Sequence, residues 1–202
     1  MRFVTETAKM ASFTELWDEI CKKRFKISDS KYRRFRYGMQ VNSLGLTELQ
    51  PENNVYRILI QMLPVVIAKN SRARAVQLPA WNEALGLPRP WDQQWSLRLQ
   101  QIMAYETDLL EFSDIFKGSK VLKEKINSLK ASANQELKKI DKIGGLVPAI
   151  DNGYLKSRLV QSQTNRQKNI EKGNQKVVGV NCFAEGELSP LVNEKDGGFM
   201  KV

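Results

Sequence analysis

Two short β-prone runs, each followed by a helix-like apolar stripe, constrain this chain most. Residues 35–41 read as one strand and residues 73–78 as a second. Between them Pro51 stands at the first turn of a predicted helix. Its Val55, Ile58, Leu59 and Leu63 recur at helical spacing, and Pro64 is expected to kink it. After the second run comes a loop punctuated by Pro79, Pro88 and Pro90, then a helix over residues 93–110. This order predicts βα units around a parallel sheet, an α/β class. An opening helix precedes them, with Phe13, Leu16, Trp17 and Ile20 on one stripe and Ser12-x-x-Glu15 as a candidate capping box.

Beyond Gly118 the texture changes. Residues 121–142 are rich in Lys, Glu, Leu and Ala, and Leu122, Ile126, Leu129, Leu137 and Ile140 recur at roughly helical spacing. Gly144-Gly145 is expected to stop that helix. Residues 146–172 read as helical again with a break near Asn152-Gly153, residues 177–182 as a last strand, and the tail from Glu187 as polar and Gly-rich. The expected organisation is βα units over 1–115, a helical extension with a closing strand over 116–190, and a polar tail over 191–202.

Charge and composition narrow the chemistry. The 32 Lys+Arg against 22 Asp+Glu give a net charge of +10, which favours anionic partners. There is no His. Ser/His/Asp and Cys/His catalysis and His-based metal sites are therefore excluded from this chain. Cys21 and Cys182 are too few for a Cys₄ metal site and too far apart in sequence to suggest a disulfide framework, so a reducing cytoplasm is expected. The longest apolar run, residues 58–68, is broken by Gln61 and Pro64 and falls short of the about 20 residues that span a bilayer. The first residues carry no signal-peptide apolar core. No membrane partner is expected.

Some residues invite a chemical reading. Lys31-Tyr-Arg-Arg-Phe-Arg36 interleaves cations with aromatics, suited either to phosphate binding or to a solvated strand edge. No zinc-finger, RRM or Arg/Gly-rich signature of a nucleic-acid module is present. Gln40 ends the first predicted strand, where βα architectures place site residues; it is equally compatible with a satisfied buried amide. Glu83 lies in the Pro-bounded loop after the second strand, as a site carboxylate or as a solvated one. Trp81, Trp91 and Trp95 bracket that loop and suit packing.

Two long blocks carry a family resemblance. Gln40-Val-Asn-Ser-Leu-Gly-Leu-Thr-Glu-Leu-Gln-Pro-Glu-Asn-Asn-Val-Tyr-Arg57 resembles the segment of adenosylcobalamin-dependent acyl-CoA mutases that starts at an active-site Gln and enters an Asn-Asn-x-x-Arg helix. Asn82-Glu-Ala-Leu-Gly-Leu-Pro88 resembles the same family's (Asp/Asn)-Glu-Ala-Leu-x-Leu-Pro loop, at similar spacing. The sequence from Leu78 to Arg98 is most similar to the ethylmalonyl-CoA branch of that family; methylmalonyl-CoA mutases differ after the shared Leu-Pro. Tyr105-Glu-Thr-Asp-Leu-Leu-Glu111, Gly153-Tyr-Leu-Lys-Ser-Arg-Leu159 and Val178-Gly-Val-Asn181 extend the resemblance over roughly residues 1–190.

The resemblance implies a fold and a set of roles. The fold is the second half of a CoA-binding (β/α)₈ TIM barrel plus its helical extension. The reaction is a radical carbon-skeleton rearrangement of an acyl-CoA such as ethylmalonyl-CoA or methylmalonyl-CoA, with adenosylcobalamin as cofactor. Gln40 matches the Gln lining the substrate and cobalamin pocket, and Glu83 the loop Glu that hydrogen-bonds the adenosyl ribose. Ser43 and Gly86 fall at positions near cobalamin. Lys31 and Arg36 fall where the family meets CoA phosphates. Arg74-Ala75 replaces a Gln-Ser pair that contacts CoA in methylmalonyl-CoA mutases, so CoA contacts there are expected to differ.

The resemblance also implies what lies elsewhere. The family's substrate-facing Tyr, Arg and His belong to the first half of the barrel, and its cobalamin domain follows the polar tail. The chain is therefore expected to be a fragment or one part of a split enzyme, inactive alone. Expected partners are the acyl-CoA and a complementing mutase subunit or a second copy in a homodimer. Two other readings stay open: a non-catalytic remnant or subunit packing on a complete mutase, and a basic nucleic-acid module. Gln40 and Glu83, in their blocks, weigh against the last.

Overall fold

The computed structural model describes residues 2–71, 73–187 and 189. They fall into two compact units, one built on Met1–Lys130 and the other on Ala131–Glu187.

The first unit opens with α1, Phe3–Lys23. It starts well before the expected capping box. Ser12 is mid-helix and buried, and its hydroxyl donates back to the Ala8 carbonyl at 2.6 Å, the usual fate of a serine inside a helix. Glu15 points instead to Lys130, at 2.7 Å. Thr7, Ala8, Met10, Leu16 and Cys21 form the inward stripe, and Lys22 and Lys23 close the last turn, favourable at the negative end of the helix dipole.

The two β-runs pair as predicted but are shorter. The regular strands are β1, Met39–Gln40, and β2, Val76–Gln77, parallel and in the register Met39↔Val76, Gln40↔Gln77. Further backbone bonds extend the ladder, from Arg74 N–H to Tyr37 O at 2.9 Å through Met39 N–H to Ala75 O at 2.8 Å to Val41 N–H to Gln77 O at 2.9 Å. Helix α2, Asn53–Ile67, connects the strands and runs on through the buried Pro64. Helix α3, Pro90–Tyr105, follows the loop, with Pro90 at its first turn where the missing N–H costs nothing. The core forms where the closed sheet face meets these helices: Val41, Leu46, Ile58, Met62, Leu78, Trp81 and Met103.

Helix α4, Lys120–Ile143, runs from the first unit into the second. Gly144 and Gly145, at φ 107° and 105°, stop it as expected. The second unit then holds α5, Leu146–Asp151, and α6, Tyr154–Glu171, separated at Asn152-Gly153. The expected last strand does not form. Residues 177–182 fold on themselves around Asn181, whose side chain accepts from Val177 N–H at 2.7 Å and donates to the carbonyls of Ile170 and Gln175 at 2.7 and 2.8 Å. A single bridge, Val178↔Cys182, remains of it. The local amide satisfies the backbone groups that a strand would have offered to a neighbour. The expected tail over 191–202 lies outside the described residues. Among the described residues no helix is long and apolar enough to cross a membrane.

Candidate functional site

Alternation along an extended chain sorts the sheet residues onto two faces. Val41 and Leu78 are buried, and Phe35 stacks on Tyr37 with ring centroids 4.8 Å apart. That is the covered face. Arg36, Gly38 and Gln40 take the other side, together with Ala75 and Gln77, and all five are exposed. A side chain at Gly38 would meet the Ala75 Cβ at 3.8 Å, so the two small residues are neighbours on this face. The result is a polar strip with a low middle: Arg36 at one end, Gln40 beside Gln77 at the other. Paired residues of a parallel ladder share a face, which places these two amides together at the C-terminal ends of their strands.

Glu83 follows directly from β2. The chain turns at Ala80–Glu83, with Glu83 N–H on Ala80 O at 3.1 Å and Leu85 N–H on Asn82 O at 2.8 Å. The loop before and around Glu83 is tied down at four residues. The Leu78 carbonyl accepts from Gln93 Nε2 at 3.4 Å and the Pro79 carbonyl from the Ser96 hydroxyl at 2.6 Å. The Trp81 carbonyl accepts from Asn54 Nδ2 at 3.0 Å, and the Asn82 side chain donates to Asp92. Trp81 and Asn82 are buried, whereas Glu83 is exposed. Gly86, at φ 151°, holds a conformation that favours glycine and is also exposed. Ser43 begins a short 3-10 helix whose N-cap is Asn42, after the end of β1.

The cationic residues separate. Lys31 lies in a short 3-10 helix, Ser30–Arg33, capped by Asp29, not on the strand where the sequence cluster suggested it. Its side chain and those of Arg34 and Arg36 are exposed. Arg33 turns inward: its side chain is 12% exposed, pairs with Asp18 at 2.8 Å and donates to the Ile27 carbonyl at 3.1 Å. Arg74 is exposed, with its backbone N–H on Tyr37.

Chemically, the Gln40–Gln77 end offers uncharged donors and acceptors, and Glu83 a carboxylate acceptor for hydroxyl groups. That donor set fits a hydroxyl- and amide-rich organic ligand. It does not fit a metal ion: the chain has no His, and among the described residues no three Cys, Asp or Glu side chains gather as ligands. Sequence reasoning gave no role to Asn54, Arg89 or Asp92. The signal for Asn54 was an Asn pair at a helix start, and for Arg89 and Asp92 a charge pair three residues apart at the next one.

The methylmalonyl-CoA mutase family profile matches residues 1–197. The chain belongs to this family. It is 60% identical over 200 residues to ethylmalonyl-CoA mutase of Cereibacter sphaeroides, covering 99% of this chain and 30% of that protein. It is 63% identical over 191 residues to ethylmalonyl-CoA mutase of Methylorubrum extorquens, covering 95% and 28%. Human mitochondrial methylmalonyl-CoA mutase is 29% identical over 183 residues, covering 91% and 24%. The chain thus spans less than a third of the length of these relatives.

Proposed function

We propose that this chain forms one part of the substrate domain of an acyl-CoA mutase acting on ethylmalonyl-CoA. In this reading, residues 1–115 are βα units from the second half of a TIM barrel, 116–190 are its helical extension, and the remainder of a mutase completes the site. The observation that carries it is the juxtaposition of Gln40 and Gln77 at the ends of parallel strands, followed directly by the anchored Glu83 turn. In parallel βα architectures strand C-termini form the site face. Identity of 60–63% to two ethylmalonyl-CoA mutases, against 29% to a methylmalonyl-CoA mutase, supports the ethylmalonyl group as the acyl class.

Adenosylcobalamin, when bound, supplies the radical chemistry of the rearrangement. The work of this chain is positional. Gln40 holds the acyl portion by hydrogen bonds without titrating. Glu83 accepts from the adenosyl ribose. Ser43 and Gly86 let the cofactor approach the backbone closely, Gly86 because no side chain stands in the way. Lys31, Arg36 and Arg74 meet the phosphates of CoA, whose multiple negative charges match the +10 chain. No proton transfer is assigned to any of them.

The test is complementation. The matching 200 residues of the Cereibacter sphaeroides enzyme are replaced by this chain, and isomerisation of ethylmalonyl-CoA and methylmalonyl-CoA is followed by mass spectrometry with adenosylcobalamin. Turnover favouring ethylmalonyl-CoA is expected, with none from the chain alone. A folded chimera without turnover, or turnover by the chain alone, overturns the proposal.

A further inference from the structure

We infer that Asn54 is a positioning residue that sets the Glu83 loop from inside the fold. Asn54 is fully buried in the first turn of α2, and its amide is used on both sides. Oδ1 accepts from Thr47 N–H at 3.0 Å and from Arg57 Nη1 at 2.7 Å. Nδ2 donates to Thr47 O at 2.9 Å and to Trp81 O at 3.0 Å. One side chain thereby joins the loop after β1, the start of α2 and the loop after β2. Trp81 is two residues before Glu83, in the same turn.

The choice of Asn follows from the partners. Two carbonyls require a donor with two N–H groups, and an N–H together with a guanidinium requires an uncharged or anionic oxygen. Among side chains of this length only Asn supplies both at once. Arg57 is the charged group in contact with it; Thr47 and Trp81 present backbone groups. Glu83, by contrast, is exposed, and the direction it faces depends on the turn that carries it. The inference rests on the role given above to Glu83, and its test separates the two.

The variant Asn54→Asp keeps the oxygen that serves Thr47 N–H and Arg57. It places a second oxygen against the carbonyls of Thr47 and Trp81, so both donor bonds of the clamp are lost while the acceptor bonds stay. Hydrogen exchange of the full chain, read by mass spectrometry, is expected to rise about tenfold in peptides covering 79–86 at neutral pH. Peptides covering 58–67 stay protected under the same conditions. Asn54→Ser, too short to reach Trp81, gives the same loop effect without adding a charge, and serves should Asn54→Asp not fold. Unchanged exchange over 79–86, or a uniform rise across the chain, overturns the inference. In the chimera, the half-saturating adenosylcobalamin concentration is expected to rise about tenfold at nearly constant kcat. Loop loosening with no change in cofactor requirement leaves the clamp standing and overturns the Glu83 assignment.

Discussion

The carboxylate of Asp92, with no exposure to solvent, is held by the Arg89 guanidinium through Nε at 3.0 Å and Nη2 at 3.2 Å. The Arg89 backbone N–H adds a bond at 2.9 Å, at the first turn of α3. Burial alone pushes the Asp92 carboxyl up, but the hydrogen bonds from Arg89 and Asn82 outweigh it and hold the group below its ordinary range. The folded pKa is depressed, so this stabilisation is full at neutral pH and is lost as pH falls below the ordinary carboxylate range. Arg89→Ala leaves a buried charge without its main partner and should destabilise the chain at neutral pH. Urea unfolding at about pH 7 and about pH 3 checks both points. The parent chain should lose more stability on acidification than Asp92→Asn. Equal losses would refute the coupling.

Four cations within six positions take two different environments, and mutation should separate the roles proposed for them. Arg33→Ala removes an inward side chain paired with Asp18 and bound to backbone carbonyls, so stability should fall by about 1–3 kcal/mol. Lys31→Ala and Arg36→Ala remove exposed side chains and should stay within about 0.5 kcal/mol. CoA binding, measured by equilibrium dialysis, should respond in the opposite sense: weaker for Lys31→Ala, Arg36→Ala and Arg74→Ala, unaltered for folded Arg33→Ala. All binding should weaken with salt, since exposed charges are screened over about 10 Å at 0.1 M. CoA affinity indifferent to both salt and Arg36 would remove these residues from the CoA site.

The same logic applies to the uncharged end of the strip. Gln40 and Glu83 are exposed, so Gln40→Ala and Glu83→Gln should leave the melting temperature of the chimera within a few degrees of the parent. Turnover should fall tenfold or more in each, the effect of about 1.4 kcal/mol of lost hydrogen bonding at a preorganised site. Glu83→Gln should act on the adenosylcobalamin requirement and Gln40→Ala on kcat with ethylmalonyl-CoA. Full activity in both variants would detach the two residues from the reaction.

The elements readable from the sequence were those fixed by period and punctuation. The helix carrying Val55–Leu63, the Gly144-Gly145 stop and the Asn152-Gly153 break each depend on local backbone physics, and each appears in the structure, although Leu59 of the expected stripe is exposed. The βα order made the place of Gln40 at a strand end and of Glu83 in the following loop legible. What failed depended on partners far away in sequence. Ser12-x-x-Glu15 has the composition of a capping box, yet residues 3–11 continue the helix upstream, and Glu15 finds Lys130. Residues 177–182 have β propensity, but Asn181 supplies a local alternative. Asn54 stood in a quoted motif without a role, because its significance lies in a carbonyl 27 positions away.

The last prediction concerns the sheet itself. Among the described residues the only sheet is the β1–β2 pair, so each of these strands has one unpaired edge. The strip from Arg36 to Gln40 is uncovered on its outer side. On α3, Trp91 is 52% and Trp95 46% exposed, large apolar areas to leave open. Unpaired edges recruit other strands, and exposed aromatic surface recruits apolar partners. The isolated chain should therefore self-associate at micromolar concentrations in sedimentation velocity, and should enhance the fluorescence of a hydrophobic dye. The chimera, where the remainder of the mutase covers these surfaces, should do neither. A lone chain that stays monodisperse and monomeric, ignores the dye and melts in one sharp transition would show that two strands suffice for a closed fold. The half-barrel reading would then be wrong.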